Sequence, residues 1–424
     1  MKVLIISYLF APNNDVGAIR PTKLAKYLVD RGHNVTVISN GYSGNDSLSV
    51  PQGLFKHFML RSKKPAANTG SAGAAQASGV RSFIPKSVKY NYRTMLHIKE
   101  YEAFADFAFK KYAEEKADGN CYDAVFTSYG PLASVLAGLK IKQNDGDSVF
   151  WISDFRDPMV SNLSPSLFRG YYDRIQKKAC KYADVITTVS NGYVKRVCRS
   201  EKYLDKVSMI PNGFDAADKP AAAESSRKNG KLNFTYVGAL YEGKRDISPL
   251  FRAISELADE GVIDKEDVEF VYAGKDFAFL KSQAETYGMT DRLTDMGRLD
   301  RTDCLALQQK SDVLILSTWN DKGEEGVFPG KFIEYMLFEK PIVALVGGNL
   351  SNSEVKLVME EGKFGVTFEQ ANSKEDFGKL KEYLKNCFEC YKESGKMPFD
   401  PSREVYDRYN YTNIMKKLED LMLK

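Results

Sequence analysis

A chain of 424 residues with 43% hydrophobic and 12% aromatic content is long enough for two globular domains, each with its own core. Lys and Arg number 60 against 56 Asp and Glu, a formal charge of +4, so bulk basicity gives no reason to expect a nucleic-acid partner. The six scattered cysteines read as free thiols of a reducing compartment, and no apolar run reaches the roughly 18 residues of a membrane span, so the chain is expected in the cytoplasm. Cys387 and Cys390 are the one close pair, in a lysine-rich helical stretch with no histidine beside it, a weak signal for zinc or redox chemistry.

In chain order, Val3–Ser7 is apolar enough for a buried strand, and Ile19, Leu24, Ala25 and Leu28 share one face of a helix over about 18–31. Val35–Ser39 is a second strand, which completes an opening βαβ unit. The first loop lacks G-x-G-x-x-G but keeps Gly17. Small residues without apolar period predict a mobile loop over about 63–80. Arg81, Phe83, Lys86, Lys89, Tyr90, Tyr92 and Arg93 interleave cations with aromatics. That mixture suits an anionic membrane surface, with single-stranded nucleic acid or a solvated helix face as alternatives. A helix follows over about 100–115. The next strands end at Ser128 and at Ile152, and the second releases Asp154, Arg156 and Asp157. Ligands of open α/β sheets bind outside the carboxyl ends of strands, so these residues are candidates, although an Arg156–Asp pair shaping the loop explains them equally well. Pro211-Asn212-Gly213 makes a sharp turn that ends a first domain over 1–213, and 216–230 reads as a polar linker.

The strand, loop and helix pattern then restarts in a second domain over 231–404. A strand over 232–237 runs into Gly238, with Lys244 and Arg245 in the following loop and a helix over 248–260. The stretch from Ser317 to Gly348 organises this half, between the buried strands Val313–Leu316 and Ile342–Val346. Phe332, Ile333, Met336 and Leu337 recur at helical spacing and leave Lys331 and Glu334 near the helix start, just after Gly330. Free amides and a lysine suit a phosphate, and a carboxylate one turn further suits the hydroxyls of a ribose or sugar. The tail over 405–424 is helical by pattern.

Pro329, Lys331, Glu334, Tyr335, Lys340, Pro341 and Ile342 spell P-x-K-x-x-E-Y-x-x-x-x-K-P-I. This string resembles the donor-site signature of the retaining GT-B glycosyltransferases of family 4, which include many bacterial surface-polysaccharide enzymes. Asp154-Phe-Arg-Asp-Pro158 and Ile210-Pro-Asn-Gly213 resemble segments of the same family, in the same order. The resemblance implies an α/β fold of two doubly wound, Rossmann-like domains facing a cleft, with the helix over 405–424 packing back on the first domain. It implies transfer of a sugar, with retention, from a nucleoside-diphosphate sugar to a hydroxyl of a saccharide or lipid-linked acceptor. A UDP-sugar is favoured over a GDP-sugar.

By the same resemblance Glu334 holds the ribose, while Gly17, Gly238, Gly330 and Lys331 belong to the donor site. Lys244 falls at the family's lysine position; the arginine position is Ala239, and Arg245 is the proposed substitute. Asp154 and Asp157 are candidate acid–base or positioning groups where related enzymes carry a histidine. Arg156 and Ser128 are candidates on the acceptor side or in its loop. Where the commoner pattern has a second glutamate eight residues before Glu334, this chain has Gly326, with Glu324 and Glu325 out of register. No D-x-D stands at a strand end, so neither an essential metal nor a cofactor is expected. Two alternatives use the same scaffold: a sugar-nucleotide epimerase, and a non-catalytic partner in polysaccharide assembly.

Overall fold

The computed structural model describes residues 1–13, 15–41, 48, 50, 51, 53–60, 86–160, 166–220, 230–241 and 243–424. The loop read over 63–80, the start of the basic and aromatic stretch at 81–85 and most of the linker read over 216–230 lie outside them. The chain divides into two units, Met1–Pro211 with Met415–Lys424, and Asn212–Ile414. Each is a parallel sheet between helices, so the two doubly wound domains expected from the strand and helix alternation are present.

In the first unit the strands are β1 (Lys2–Ile6), β2 (Asn34–Asn40), β3 (Lys56–Leu60), β4 (Ala124–Tyr129), β5 (Phe150–Phe155), β6 (Val185–Thr188) and β7 (Val207–Met209). They lie in the order β3-β2-β1-β4-β5-β6-β7, all parallel. Helices α1 (Val16–Asp30), α2 (Lys86–Ala117), α3 (Ala133–Asp145), α4 (Arg169–Tyr182) and α5 (Asn191–Val197) connect them. β1 and β4 are buried on both faces, which is why Val3–Ile6 and Ala124–Phe126 are continuous apolar runs instead of alternating ones. On one face Leu4, Ile6 and Val125 pack against Phe104 and Ala108 of α2, Leu136 of α3 and Ile175 of α4.

α2 is twice the length expected from its apolar pattern. Residues 86–99 contain no Gly or Pro to stop a helix, but its buried face starts only at Thr94 and Ile98. The earlier turns expose Val88, Tyr90 and Tyr92, and periodicity has nothing to detect there.

The carboxyl end of β5 is tied into the unit by a fully buried ion pair. Arg20 of α1 donates Nε (3.1 Å) and Nη2 (2.9 Å) to the two oxygens of Asp154. Ser128 of β4 (3.1 Å) and Thr187 of β6 (2.7 Å) donate to the same carboxylate. Arg20 also donates to the carbonyls of Ile210 and Pro211 at 3.1 and 2.6 Å. One pair thus joins α1, three strands and the segment that leaves the unit. Asp154 was expected as a catalytic candidate and Ser128 as an acceptor-side one. Both are instead parts of this buried network, with Asp154 0% and Ser128 2% exposed and their oxygens engaged.

The second unit has β8 (Leu232–Val237), β9 (Val268–Ala273), β10 (Leu293–Asp295), β11 (Val313–Trp319), β12 (Ile342–Gly347) and β13 (Gly365–Glu369), parallel and in the order β10-β9-β8-β11-β12-β13. Its helices are α6 (Ser248–Asp259), α7 (Phe277–Glu285), α8 (Arg301–Lys310), α9 (Gly330–Met336), α10 (Glu354–Gly362), α11 (Ser373–Ser394) and α12 (Arg403–Arg408). Alternate residues serve two cores: Ile315, Val343 and Leu345 join Leu250, Ile254 and Leu380 on one face. Leu314, Leu316 and Ala344 join Phe332, Met336 and Val358 on the other.

The last helix, α13 (Tyr411–Met422), begins in the second unit and ends in the first. There Glu419 accepts from the Tyr27 hydroxyl (3.0 Å) and the His33 ring (2.7 Å). Among the described residues no helix is long and apolar enough to cross a membrane.

Breaking a buried pair leaves one charge uncompensated, at a cost of about 3–5 kcal/mol. Asp154→Asn is therefore expected to lower Tm by roughly 10 °C in scanning calorimetry. An unchanged Tm would show that the pair does not hold the unit.

Candidate functional site

In the second unit the strand order reverses direction between β8 and β11, and a doubly wound sheet opens its ligand crevice at such a point. β8 ends at Gly238, whose φ of +142° is open to glycine alone. Its carbonyl accepts from the Tyr272 hydroxyl at 3.0 Å, and the Asp276 carboxylate caps the Leu240 amide at 2.8 Å. These bonds fix the loop that carries the two cations.

Lys244 is 42% exposed at this edge, with Nζ 2.7 Å from Glu324 and 4.1 Å from the ring centre of Trp319. The Trp319 indole N–H donates to the same Glu324 oxygen at 2.8 Å. Arg245 folds back so that Nη1 donates to the Ala239 carbonyl at 3.0 Å, and its guanidinium lies 4.7 Å from the Tyr241 ring. The guanidinium thus reaches back to Ala239, where the family's arginine would start. Its Nε is buried without a hydrogen-bond partner among the described residues. Burial pushes the neighbouring Tyr236 hydroxyl up to about 12, against the pull of Arg245. It therefore stays neutral beside the cation at physiological pH.

Across the switch point, β11 delivers Trp319 and the loop to α9. Pro329 stands just before Gly330, the first residue of this seven-residue helix, and nothing lies within 4 Å of where a Gly330 Cβ would be. Glu334 lies on the next turn, and one of its oxygens accepts from Lys331 Nζ (2.6 Å) and from Gln308 of α8 (2.9 Å). Its other oxygen has Arg301 at 3.5 Å. Tyr335, next to Glu334, is buried and donates to the Ile315 carbonyl at 3.1 Å. Burial holds its hydroxyl well above the ordinary tyrosine range; Tyr236 and Glu334 add to the rise and Arg245 opposes it. The contacts of Lys244 with Trp319 and Glu324 bring the loop after Gly238 against the segment that leads from β11 to Gly330.

The remaining candidates lie at the β1–β4 edge of the first unit. Arg156 donates Nε and Nη2 to the Tyr129 carbonyl at 3.1 and 3.0 Å. It fills the space that two missing side chains leave: a Cβ on Gly17 would come within 3.1 Å of its Nη2 and 2.5 Å of Leu9, and one on Gly130 within 2.3 Å of Nη2. Gly17 thus makes room for a strut, and Arg156 is that strut. Asp157 keeps surface open to solvent. The surrounding protein nonetheless desolvates its carboxyl and raises it above the ordinary aspartate range, with Arg156 and Arg196 pulling the other way.

Residues 231–386 match the family described as Glycosyl transferases group 1, and residues 21–218 match Glycosyltransferase Family 4. This chain is a glycosyltransferase, with a family 4 domain followed by a group 1 domain. Solved structures with the same fold include sucrose-phosphate synthase from Thermosynechococcus elongatus, with 16% identity, a TM-score of 0.59, and 99% of this chain and 98% of that one covered. Anabaena HepE, in complex with UDP and glucose, aligns at 13% identity and a TM-score of 0.60 over 100% and 99% of the two chains. The lipopolysaccharide outer core galactosyltransferase WaaB aligns at 13% and 0.56 over 100% and 99%. No curated protein matches in sequence. The glycosyltransferase therefore has the GT-B architecture.

Four contributors to the neighbourhood were not among the residues assigned to the site from the sequence: Trp319, Glu324, Tyr241 and Gln308. Trp319 is one of 2 tryptophans and stands at a strand end, which is the one cue that could have marked it. Glu324 is out of register with the family pattern, and its contacts with Lys244 and Trp319 place it.

Two cations and an aromatic pair on one open edge can hold an anion of diphosphate size, and the Lys244 ammonium would then leave the Trp319 face. Inorganic pyrophosphate is accordingly expected to change Trp fluorescence, and Lys244→Ala to abolish the change. A response that persists in Lys244→Ala would place the anion elsewhere.

Proposed function

We propose that this glycosyltransferase moves a sugar, with retention, from a UDP-sugar to a hydroxyl of a saccharide acceptor in surface-polysaccharide assembly. The observation that carries the reading is the convergence of Lys244 and Arg245 at the end of β8 with Glu334 next to the buried Tyr335. The chemistry asks mainly for leaving-group stabilisation. As the bond from the sugar C1 to the diphosphate oxygen breaks, negative charge grows on the diphosphate and positive charge on the sugar ring. Fixed cations facing the diphosphate lower that barrier because they need no rearrangement at the moment of reaction. Lys244 and Arg245 are the cations in this reading, Gly238 and Gly330 allow close approach, and Lys331 flanks the site. Glu334 accepts from the ribose hydroxyls. Asp157 is retained as a candidate for positioning the acceptor. The likeness to HepE, whose structure contains UDP and glucose, supports uridine as the base, and that to WaaB supports a surface-polysaccharide acceptor.

The test is thermal stability against UDP, GDP, ADP and CMP, followed by turnover of the UDP-sugar that binds. UDP is expected to raise Tm. Lys244→Ala is expected to lower turnover by about 10²–10³ with little change in the ligand-free Tm, because an exposed ion pair contributes little to folding. Unchanged turnover in Lys244→Ala would overturn the assignment. Epimerised UDP-sugar without transfer would replace it with the epimerase reading.

The same reading places the acceptor at a membrane. Val88, Tyr90, Tyr92, Met95 and Leu96 are all exposed on the first turns of α2, with Lys89 and Arg93 exposed among them. Aromatic and aliphatic side chains beside cations suit the headgroup layer of an anionic bilayer. The protein is expected to sediment with vesicles containing phosphatidylglycerol but not with phosphatidylcholine vesicles. Tyr90→Ser with Tyr92→Ser should release it; equal sedimentation of the variant would exclude α2 as the contact.

A further inference from the structure

We infer that Gln308 is a positioning residue that sets the orientation of the Glu334 carboxylate toward the donor, an inference that rests on Glu334 holding the ribose. α8 buries two side chains, Leu305 and Gln308, three residues apart on one face. The second position is 0% exposed, a place where an apolar side chain would pack without penalty. An amide stands there instead. Its Nε2 donates to Glu334 Oε1 at 2.9 Å, while its Oε1 is buried with no hydrogen-bond partner among the described residues. The orientation follows from chemistry, since a carboxylate can only accept and so must face the NH2 end of the amide. An unmet buried acceptor is a cost to folding, so stability alone does not account for this residue.

What the amide does achieve is to divide the labour of the two Glu334 oxygens. Oε1 is occupied by Gln308 and by Lys331 Nζ at 2.6 Å. Among the described residues Oε2 meets only Arg301, at 3.5 Å, a partner whose side chain is 49% exposed and also lies 3.8 Å from Asp218. Lys331 is itself a partly exposed, flexible side chain, whereas Gln308 is locked by the core around it. The rigid donor therefore decides which oxygen is presented outward and at what angle. A vicinal diol needs an acceptor held in that way, because one carboxylate must meet two hydroxyls at fixed spacing.

The experiment measures the Kd of UDP and of 2′-deoxy-UDP by calorimetry for wild type, Glu334→Gln, Gln308→Met and the double variant, with Tm for each. Gln308→Met is expected to weaken UDP about tenfold, the equivalent of one charge-assisted hydrogen bond, and to reduce the preference for UDP over 2′-deoxy-UDP. Its Tm should hold or rise because the unmet acceptor is gone. In the Glu334→Gln background the same change should add nothing. Should Gln308→Met fold poorly, Gln308→Asn keeps an amide but withdraws it from reach, and the same loss of ribose preference is expected. If Glu334→Gln weakens UDP but neither Gln308 variant alters the ribose preference, Gln308 is merely structural and the inference is overturned. If Glu334→Gln leaves UDP binding untouched, the ribose assignment itself fails, and the inference with it.

Discussion

An all-parallel sheet brings every strand's carboxyl end to one edge, and a sheet wound in both directions from its centre must open there. In the second unit the opening lies between β8 and β11, and both strands deliver charged side chains to it. The hydrophobic cores on the two faces hold that edge rigid. Buried aromatic and aliphatic side chains supply most of the driving force, at about 1.5–3 kcal/mol each when fully buried. The cations themselves add little to folding. They are carried at the rim by a scaffold that would be stable without them, which leaves their charge available to a ligand.

Charge at the rim is kept in order by short contacts within the site. Lys244 rests on Trp319 and Glu324, and Arg245 on Ala239 and Tyr241, so neither cation is spread over a wide set of rotamers before an anion arrives. Tyr236, next to Arg245, and Tyr335, next to Glu334, are both held neutral by burial and add no charge to the site. A site organised in this way loses little conformational freedom on binding, and pre-organisation is what electrostatic catalysis requires.

How legible all this was depended on the range of the interaction. The βαβ repeats, the break near Pro211 and the restart at Leu232 follow from apolar runs and turn residues that act within about a dozen positions. β3 and β10 are short edge strands with no fully buried face, so no apolar run marked them. The first half of α2 was missed because it has no buried face. Among the candidate residues, Lys244 and Glu334 were singled out because they stand at positions of the family's motifs, and Arg245 as the cation beside Lys244. Asp154 stood in an equally suggestive place and was misread, since its partner Arg20 is 134 residues away.

The sequence by itself determined the architecture: two doubly wound domains, where they divide, and which loops emerge at the carboxyl edges. Those features depend on the alternation of apolar strands and helices and on turn chemistry, both of which are local. The tertiary structure alone decided which polar residues at that edge are structural and which are open to a ligand. Asp154, Ser128 and Arg156 look as functional as Lys244 in the sequence, yet the first two are sealed inside a buried network and the third is wedged against Gly17 and Gly130. The cost of burying a charge depends on its partners, and those partners come together only when the sheet has formed.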